Sequence, residues 1–446
     1  IRSSAFGSVL GGPRVLQALA ADGLAPSVLA RLSPSGQPTI ATWVSGTIAL
    51  TAVALGGLNA VAQFVTILFL TLYVTINLAS ALESLVGDPS YRPTIRVPWY
   101  VSILGSIGAI VVMFLINPWT CLAAVVLECA LYTYLRRRAM RKRWGDVRAG
   151  LWVALARWSL LKLRHHELDP RNWRPQILLF GGDPGKRAGL VRLASWFNQD
   201  RGVVTICRLI VGNLDKLQEV EQIRNEMDRE LDEAGIVAFP EVDVVADFET
   251  GVLDVAQANG IAGLHANTVM FGWSRQKARL ESQLRIMRAM SYAGKNTIIT
   301  RLNWAHEPGS EKRVDIWWGG LQNNGDLMLL LAYLLRLNPE WRNSRITVRS
   351  VARDEEEREL QLDGLAKLLP QTRIGADTEV LVKPDDLSIT EILHRISADA
   401  DIVFLGLQEP EHGKESAYAD RIIELAEGLN TCIFVRSAGE FAGRLI

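Results

Sequence analysis

From Leu32 to Leu82 the chain carries no charged residue over 51 positions, and a second charge-free run of 31 extends from Val97 to Leu127. A bilayer core about 30 Å thick is crossed by roughly 20 helical residues. The first run therefore has room for two spans, read near Thr39 to Leu58 and near Ala60 to Leu82, with Gly56, Gly57 and Asn59 as the turn between them. Asn117-Pro118 interrupts the second run and suits an interfacial turn, which gives a span from Tyr100 to Ile116 and another from Trp119 to Leu135. Ile1 to Leu10 reads as the end of an earlier span. The chain opens on Ile1 without a signal-peptide pattern, and the expectation is a fragment without its preceding spans.

Charge separates the chain into two parts. Residues 1–150 hold 12 basic against 5 acidic residues, and residues 151–446 hold 36 against 43. Six cations between Arg136 and Arg143, directly after the last span, mark its cytoplasmic end. Beside a hydrophobic run they read as a stop-transfer signal and not as a nucleic-acid patch. The charged segments Arg14 to Arg31 and Glu83 to Arg96 then fall on the same side. A hydrophobic content of 49% excludes a disordered chain. Cys121, Cys129, Cys207 and Cys432 lack any CxxC or Cys/His spacing, so neither a disulfide framework nor a zinc site is expected.

After Trp144 the pattern changes to short β-branched runs that alternate with amphipathic stretches, the mark of βαβ units and a mostly parallel, doubly wound sheet. Strands are read at Gln176 to Phe180, Val203 to Val211, Asn267 to Phe271, Asn296 to Arg301, Ile346 to Val351, Ile402 to Leu405 and Cys432 to Val435. Helices are read at Leu190 to Asn198, Asp215 to Ala234, Lys277 to Ala293, Leu327 to Leu337, Glu355 to Leu369, Ile389 to Ala398 and Ser416 to Gly428. Asn303 to Ser310 and Gln371 to Asp377 read as surface loops. The strand count leaves open whether two similar halves meet near Val314. The division is thus a membrane region over 1–143 and a cytoplasmic α/β region over 144–446.

Motifs for chemistry are few. Gly181-Gly182-Asp183-Pro184-Gly185 stands between a strand and a helix, where backbone amides bind phosphate, so Gly181, Gly182 and Gly185 form the candidate nucleotide site. It lacks GxGxxG and GxxxxGK[ST], and Pro184 removes one amide, so a plain β-to-α turn is the competing reading. His165-His166, near Glu167 and Asp169, point to different faces of a helix or strand and read as a solvated linker. Trp317-Trp318 beside Asp315 reads as core or interface packing. No nucleophile, base and orienter share a recognisable spacing, so no enzyme is expected and no cofactor is called for.

Ser3-Ser4-Ala5-Phe6-Gly7 to Gly11-Gly12-Pro13-Arg14, then Leu16-Gln17-Ala18-Leu19 and Asp22-Gly23, resemble the end of the eighth helix and the following loop of the cation-chloride cotransporters. Phe69-Leu70 with Tyr73 and Asn77, Trp144-Gly145-Asp146, Asn172-Trp173-Arg174-Pro175-Gln176, Val314-Asp315-Ile316-Trp317-Trp318 and Glu427-Gly428-Leu429-Asn430 are similar to that family in the same order. The resemblance implies the second half of a twelve-span, inverted-repeat transporter of the amino acid-polyamine-organocation superfamily. A cytoplasmic regulatory and dimerisation domain would follow in a homodimer of the plasma membrane. It implies chloride symport with potassium. Ser3 and Ser4 fall on the serine pair that helps hold sodium in sodium-dependent members, whereas the Trp144 and Val314 motifs look more like the potassium-chloride branch, so sodium coupling stays open. Tyr73 falls on a tyrosine whose hydroxyl contributes to a chloride site. Glu128 has no counterpart in the family pattern, and no transport role is expected for it. An amino acid permease of the same superfamily and a membrane-tethered nucleotide sensor are the alternatives.

Overall fold

The computed structural model describes residues 2–439 except 24, 56, 87–93, 96, 138–146, 165–172, 263, 275, 304–310, 320–323 and 373. Contacts divide the chain into two compact units, Ile1–Ser159 and Leu160–Ile446.

The first unit is helical: α1 (Arg2–Ala21), α2 (Thr39–Leu55), α3 (Leu58–Val86), α4 (Trp99–Ile116), α5 (Pro118–Arg137) and α6 (Val147–Leu163). Helices α2 to α5 cover the four stretches read as spans. By length and hydropathy alone, two stretches among the described residues suffice to cross a bilayer, Val61–Val86 and Trp99–Ile116, while Thr39–Ala54 and Pro118–Ala130 are shorter apolar helices. Asn59, expected in a turn, lies in the first turn of α3. The Asn117 side chain accepts from the amides of Trp119 and Thr120 at 3.0 and 3.1 Å and so caps α5, with Pro118 at the first helical position.

The N-terminal segment corrects the sequence reading. Where a span end and then a loop from Arg14 were expected, α1 runs unbroken through Pro13 to Ala21. Proline removes a single intrahelical bond, and the good helix formers Leu16 to Ala20 carry the helix onward. The sequence reading has no helix at α6. Gly150 of α6 lies so close to Val86 that a side chain there would collide with it.

The second unit is one ten-stranded sheet with helices on both faces. In chain order its elements are β1 (Ile177–Phe180), α7 (Ala188–Asn198), β2 (Val204–Val211), α8 (Leu217–Glu233), β3 (Phe239–Val245), α9 (Phe248–Ala258), β4 (Thr268–Gly272), α10 (Lys277–Tyr292), β5 (Asn296–Arg301), β6 (Arg313–Trp317), α11 (Asn324–Arg336), β7 (Arg345–Ala352), α12 (Glu355–Thr372), β8 (Asp377–Val382), α13 (Ile389–Ser397), β9 (Ile402–Gly406), α14 (Glu415–Ala426) and β10 (Thr431–Arg436). The seven expected strands are present, and β3, β6 and β8 are additional. Pro240, Glu241 and Asp243 in β3, and Asp377 and Glu379 in β8, blur the alternation that marks a strand. Both turn out to be edge strands, where such residues are tolerated. The loop read from Gln371 is partly helix, because α12 continues past Pro370 to Thr372.

The sheet order is β3-β2-β1-β4-β5-β10-β9-β6-β7-β8. Each five-strand half therefore has its third, second, first, fourth and fifth strands in the same sequence. The halves meet fifth strand to fifth strand, in the sheet's antiparallel pairing, with Ile299 opposite Phe434. One face buries Leu193, Phe197, Leu327, Leu331 and Leu365 from α7, α11 and α12. The other buries Val252, Leu284, Leu393 and Ile422 from α9, α10, α13 and α14. Polar contacts tie the halves on both faces. Arg301 Nη1 donates to the carbonyls of Ala426 and Leu429 at 2.6 and 3.0 Å, and Arg288 pairs with Glu415 at 2.6 Å. Gln199 and Asn338 donate across the α7 and α11 ends, to Leu334 and Trp196.

Candidate functional site

In the helical unit the residues expected to meet ions lie on α1 and α3. Ser3 and Ser4 sit in the first turn of α1, and their side chains lie outside the described residues. Along α3, Ile67, Leu70, Thr71 and Val74 recur at helical spacing and turn inward, where Ile67 meets Met113, Cys121 and Ala124 of α4 and α5. Phe69, Leu72, Tyr73 and Ile76 form the opposite stripe, with Tyr73 60% exposed. The phenol hydroxyl of Tyr73 thus belongs to the side of α3 that α4 and α5 leave open. A phenol O–H is a neutral donor, able to hold an anion without the cost of a buried charge.

Polar groups that the sequence reading passed over hold α3 to α4. Ser106 Oγ donates to the Val74 carbonyl at 3.1 Å, and Ser102 and Ser106 are both buried. Gly105 lets Asn77 approach closely: a Cβ at Gly105 would stand 3.2 Å from Asn77 Nδ2. Small residues that admit close backbone approach, with a hydroxyl bonded across, are what packs helices where lipid offers no hydrophobic drive. The signal was legible as Ser102, Gly105 and Ser106 at helical spacing. Glu128 is half-buried and falls on the same helical face as Cys121 and Ala124.

In the sheet unit the glycine loop is present between β1 and α7, but side chains of the loop and of α8 occupy it. Gly182 has φ +74°, a conformation that favours glycine. The Gly185 amide, the donor a phosphate would use, donates instead to Glu230 Oε2 of α8 at 2.9 Å. Asp183 accepts from the Lys186 amide and pairs with Lys186 Nζ at 3.1 Å. Burial alone would raise the Asp183 carboxyl; Lys186 outweighs it and holds the group below the usual carboxylate range. Two carboxylates thus stand where a phosphate would have to enter. In the second half, the side chain at the start of α11 is engaged in hydrogen bonds. Asn324 Nδ2 donates to the Leu407 carbonyl at 2.9 Å, Asn324 Oδ1 accepts from the Ser437 amide at 2.8 Å, and the Trp318 ring covers Gly325.

His165 and His166 lie outside the described residues. Trp317 is buried, and its Nε1 donates to Ser397 Oγ at 3.0 Å, while Ser397 donates to Asp315 Oδ2 at 2.7 Å. Arg349 of β7 stands beside that carboxylate at 3.0 Å and also pairs with Glu379 of β8. An arginine inside Ile346-Thr347-Val348-Arg349-Ser350-Val351, on the strand that follows Asp315, was the available clue. The cysteines of this unit are inert: burial, with Asp243 beside it, pushes the Cys207 thiol far up, and burial pushes Cys432 up to about 12.

Two family models match the chain, amino acid permease over residues 1–179 and solute carrier family 12 over residues 274–391. Among solved structures, the chain is similar to the cytoplasmic domain of a prokaryotic cation chloride cotransporter, at 16% identity over 60% of this chain and 97% of that one, with a TM-score of 0.45. It is also similar to a universal stress protein from Archaeoglobus fulgidus, at 14% identity over 60% of this chain and 98% of that one, with a TM-score of 0.36. A further likeness is to a putative universal stress protein from Pseudomonas aeruginosa, at 9% identity over 61% and 94%, with a TM-score of 0.40.

Proposed function

We infer that this chain, which belongs to the cation-chloride cotransporter family and is a cotransporter and not an enzyme, moves chloride together with potassium across the plasma membrane without net charge. The observation that carries this reading is that transporter family models match both parts of the chain, the apolar helices over 1–179 and the sheet unit over 274–391. In this reading Tyr73 donates to chloride from the open side of α3. A neutral donor suits a site that must bind and then release. Ser3 and Ser4 would supply neutral oxygens to sodium, the ligand type a hard cation prefers, if sodium is carried as a third ion. The sheet unit is then the cytoplasmic domain of a homodimer. Its β5 and β10 edges are already paired with each other, so a second copy has to use other surfaces.

The test is rubidium uptake, as a tracer for potassium, into vesicles that carry the protein, with chloride and sodium replaced one at a time. Tyr73→Phe removes one hydrogen bond worth about 1 kcal/mol, and the half-saturating chloride concentration should rise roughly fivefold. An unchanged chloride dependence in Tyr73→Phe would remove Tyr73 from the site. The match of residues 1–179 to the amino acid permeases favours a second reading, transport of an amino acid. Radiolabelled amino acid uptake in the same vesicles, indifferent to chloride, would establish that reading instead.

A further inference from the structure

The sheet ends on two edge strands that differ in what they offer a further strand. β8 pairs with β7 on one side alone. The Lys383 amide donates to the Ala352 carbonyl at 2.8 Å, so Asp377, Glu379 and Leu381 turn their backbone groups to β7. By the alternation of a parallel ladder, Thr378, Val380 and Val382 point theirs away from the sheet. Arg358 of α12 confirms the direction, since its Nε donates to the Val380 carbonyl at 3.1 Å. Such a row of amides and carbonyls is a template for another strand.

Asp377-Thr378-Glu379-Val380-Leu381-Val382-Lys383 is complementary to itself. Laid antiparallel on a second copy about Val380, Val380 meets Val380 and Thr378 meets Val382. All of these groups point outward, so each pair exchanges both of its hydrogen bonds. The other residues of the strand set Glu379 opposite Leu381 and, at both ends, Asp377 opposite Lys383. Cross-strand pairs of opposite charge and of β-branched side chains stabilise a ladder. Asp377 holds Arg345 through Oδ2 at 2.6 Å, and among the described residues Lys383 Nζ meets only the Pro384 carbonyl, at 3.5 Å. The neighbouring registers are worse. About Glu379, that carboxylate faces its own copy, and about Leu381, Thr378 faces Pro384, which has no amide. The opposite edge is built against self-pairing. The Gly212 amide donates to the Val245 carbonyl at 3.0 Å, so Pro240, Val242 and Val244 form the outward row of β3, and the proline leaves a gap among its donors. Antiparallel registers about Glu241, Val242 or Asp243 all set acid against acid.

We propose that the β8 edge joins two copies of this chain strand to strand, antiparallel about Val380, with Asp377 of each copy on Lys383 of the other. Arg358 is the latch in the single chain. Its guanidinium holds the carbonyl that the second copy's Val380 amide would take, and on pairing it keeps its contact with Glu355 one turn away. The proposal rests on the homodimer reading of the sheet unit, and its test separates the two.

The full chain in detergent micelles is followed by sedimentation over a range of dilutions. In parallel, Thr378→Cys/Val382→Cys is oxidised with copper phenanthroline and compared with the wild type on a gel without reductant. Positions 378 and 382 of one strand lie about 13 Å apart, too far for a disulfide within a copy, whereas opposite residues of two copies, at about 5.5 Å, are within reach. A cross-linked dimer beyond the wild-type background is expected. Arg358→Ala frees both Val380 carbonyls and should tighten association at least about fivefold. Lys383→Glu, or Thr378→Pro, should weaken it about tenfold or more; Thr378→Pro removes only an outward amide, so the bonds of β8 to β7 remain. A dimer that sediments unchanged in both of these variants and gives no added cross-link would overturn the proposal and leave the homodimer reading to another surface. Wild type and Arg358→Ala that both stay monomeric at every dilution would sink the two together. Association weakened by Arg358→Ala would refute the latch.

Discussion

Replacing Arg349 by methionine tests a buried ion pair of the sheet unit. Asp315 is 1% exposed and Arg349 6% exposed, so both charges are out of water. Arg349 Nε stands 3.0 Å from Asp315 Oδ2, off the line of its N–H, which makes the contact more Coulombic than a directed hydrogen bond. Ser397 supplies a second partner at 2.7 Å. Methionine fills similar volume but leaves the Asp315 carboxylate with one neutral donor. Breaking a buried pair from one side costs about 3–5 kcal/mol, a large part of the roughly 5–15 kcal/mol that holds a typical domain. Asp315→Asn/Arg349→Met removes both charges and should recover most of that loss, because the cost is the orphaned charge and not the missing attraction. The assay is denaturant unfolding of the chain, with hydrogen exchange read on β6, β7 and β8. As a control, Lys367→Met breaks the exposed pair with Asp363 and should change stability by less than about 1 kcal/mol. If Arg349→Met costs no more than this control, or the double variant costs as much as both singles combined, the reasoning is refuted.

Asn324→Ala removes two buried hydrogen bonds, to Leu407 and from Ser437, and should cost about 2–3 kcal/mol in the same unfolding assay. Glu415 is buried at the start of α14, where the amide at its own position and then Arg288 hold its carboxyl below the ordinary range. A depressed carboxylate contributes stability that is present above its unfolded pKa of about 4.3 and is lost as pH falls through the lower folded value. Glu415→Gln should therefore flatten the acid limb of the stability profile between about pH 5 and 3. Because Glu230 occupies the Gly185 amide, millimolar ATP or AMP should leave the melting temperature of the sheet unit unchanged, by the linkage of binding to stability. A nucleotide-dependent rise would revive the loop as a site.

Charge and hydropathy alone placed α2 to α5, because an uninterrupted apolar run has few other solutions. The doubly wound pattern was equally legible in the central strands, such as Ile402-Val403-Phe404-Leu405, which are buried on both faces and therefore read as continuous hydrophobic runs. It failed at the edges. β3 and β8 need bury only part of their surface, and their Pro240, Asp377 and Glu379 erase the periodic signal. The helix α9 was missed because Phe248 to Ala258 opens with charged and small residues, although Asp247 caps it through the amides of Glu249 and Thr250. The order of strands within each half depends on pairings such as Ile177 with Thr268 and Val314 with Ile402, about 90 residues apart, and the meeting of β5 with β10 on pairings about 130 apart, which local pattern does not encode. For the candidate site, the position of Tyr73 within α3 was readable, but its place on the side away from α4 and α5 required the helix packing. The glycine loop showed the converse. Its spacing suggested a phosphate cradle, and Glu230, 45 residues beyond Gly185, is what fills it.

The central claim is that this chain is part of a machine that couples chloride to a cation, and rubidium uptake into vesicles with chloride replaced by gluconate tests it most directly. The account predicts that uptake collapses without chloride and that chloride uptake falls equally when potassium and rubidium are withdrawn. Rubidium uptake that continues at the same rate in gluconate would contradict it.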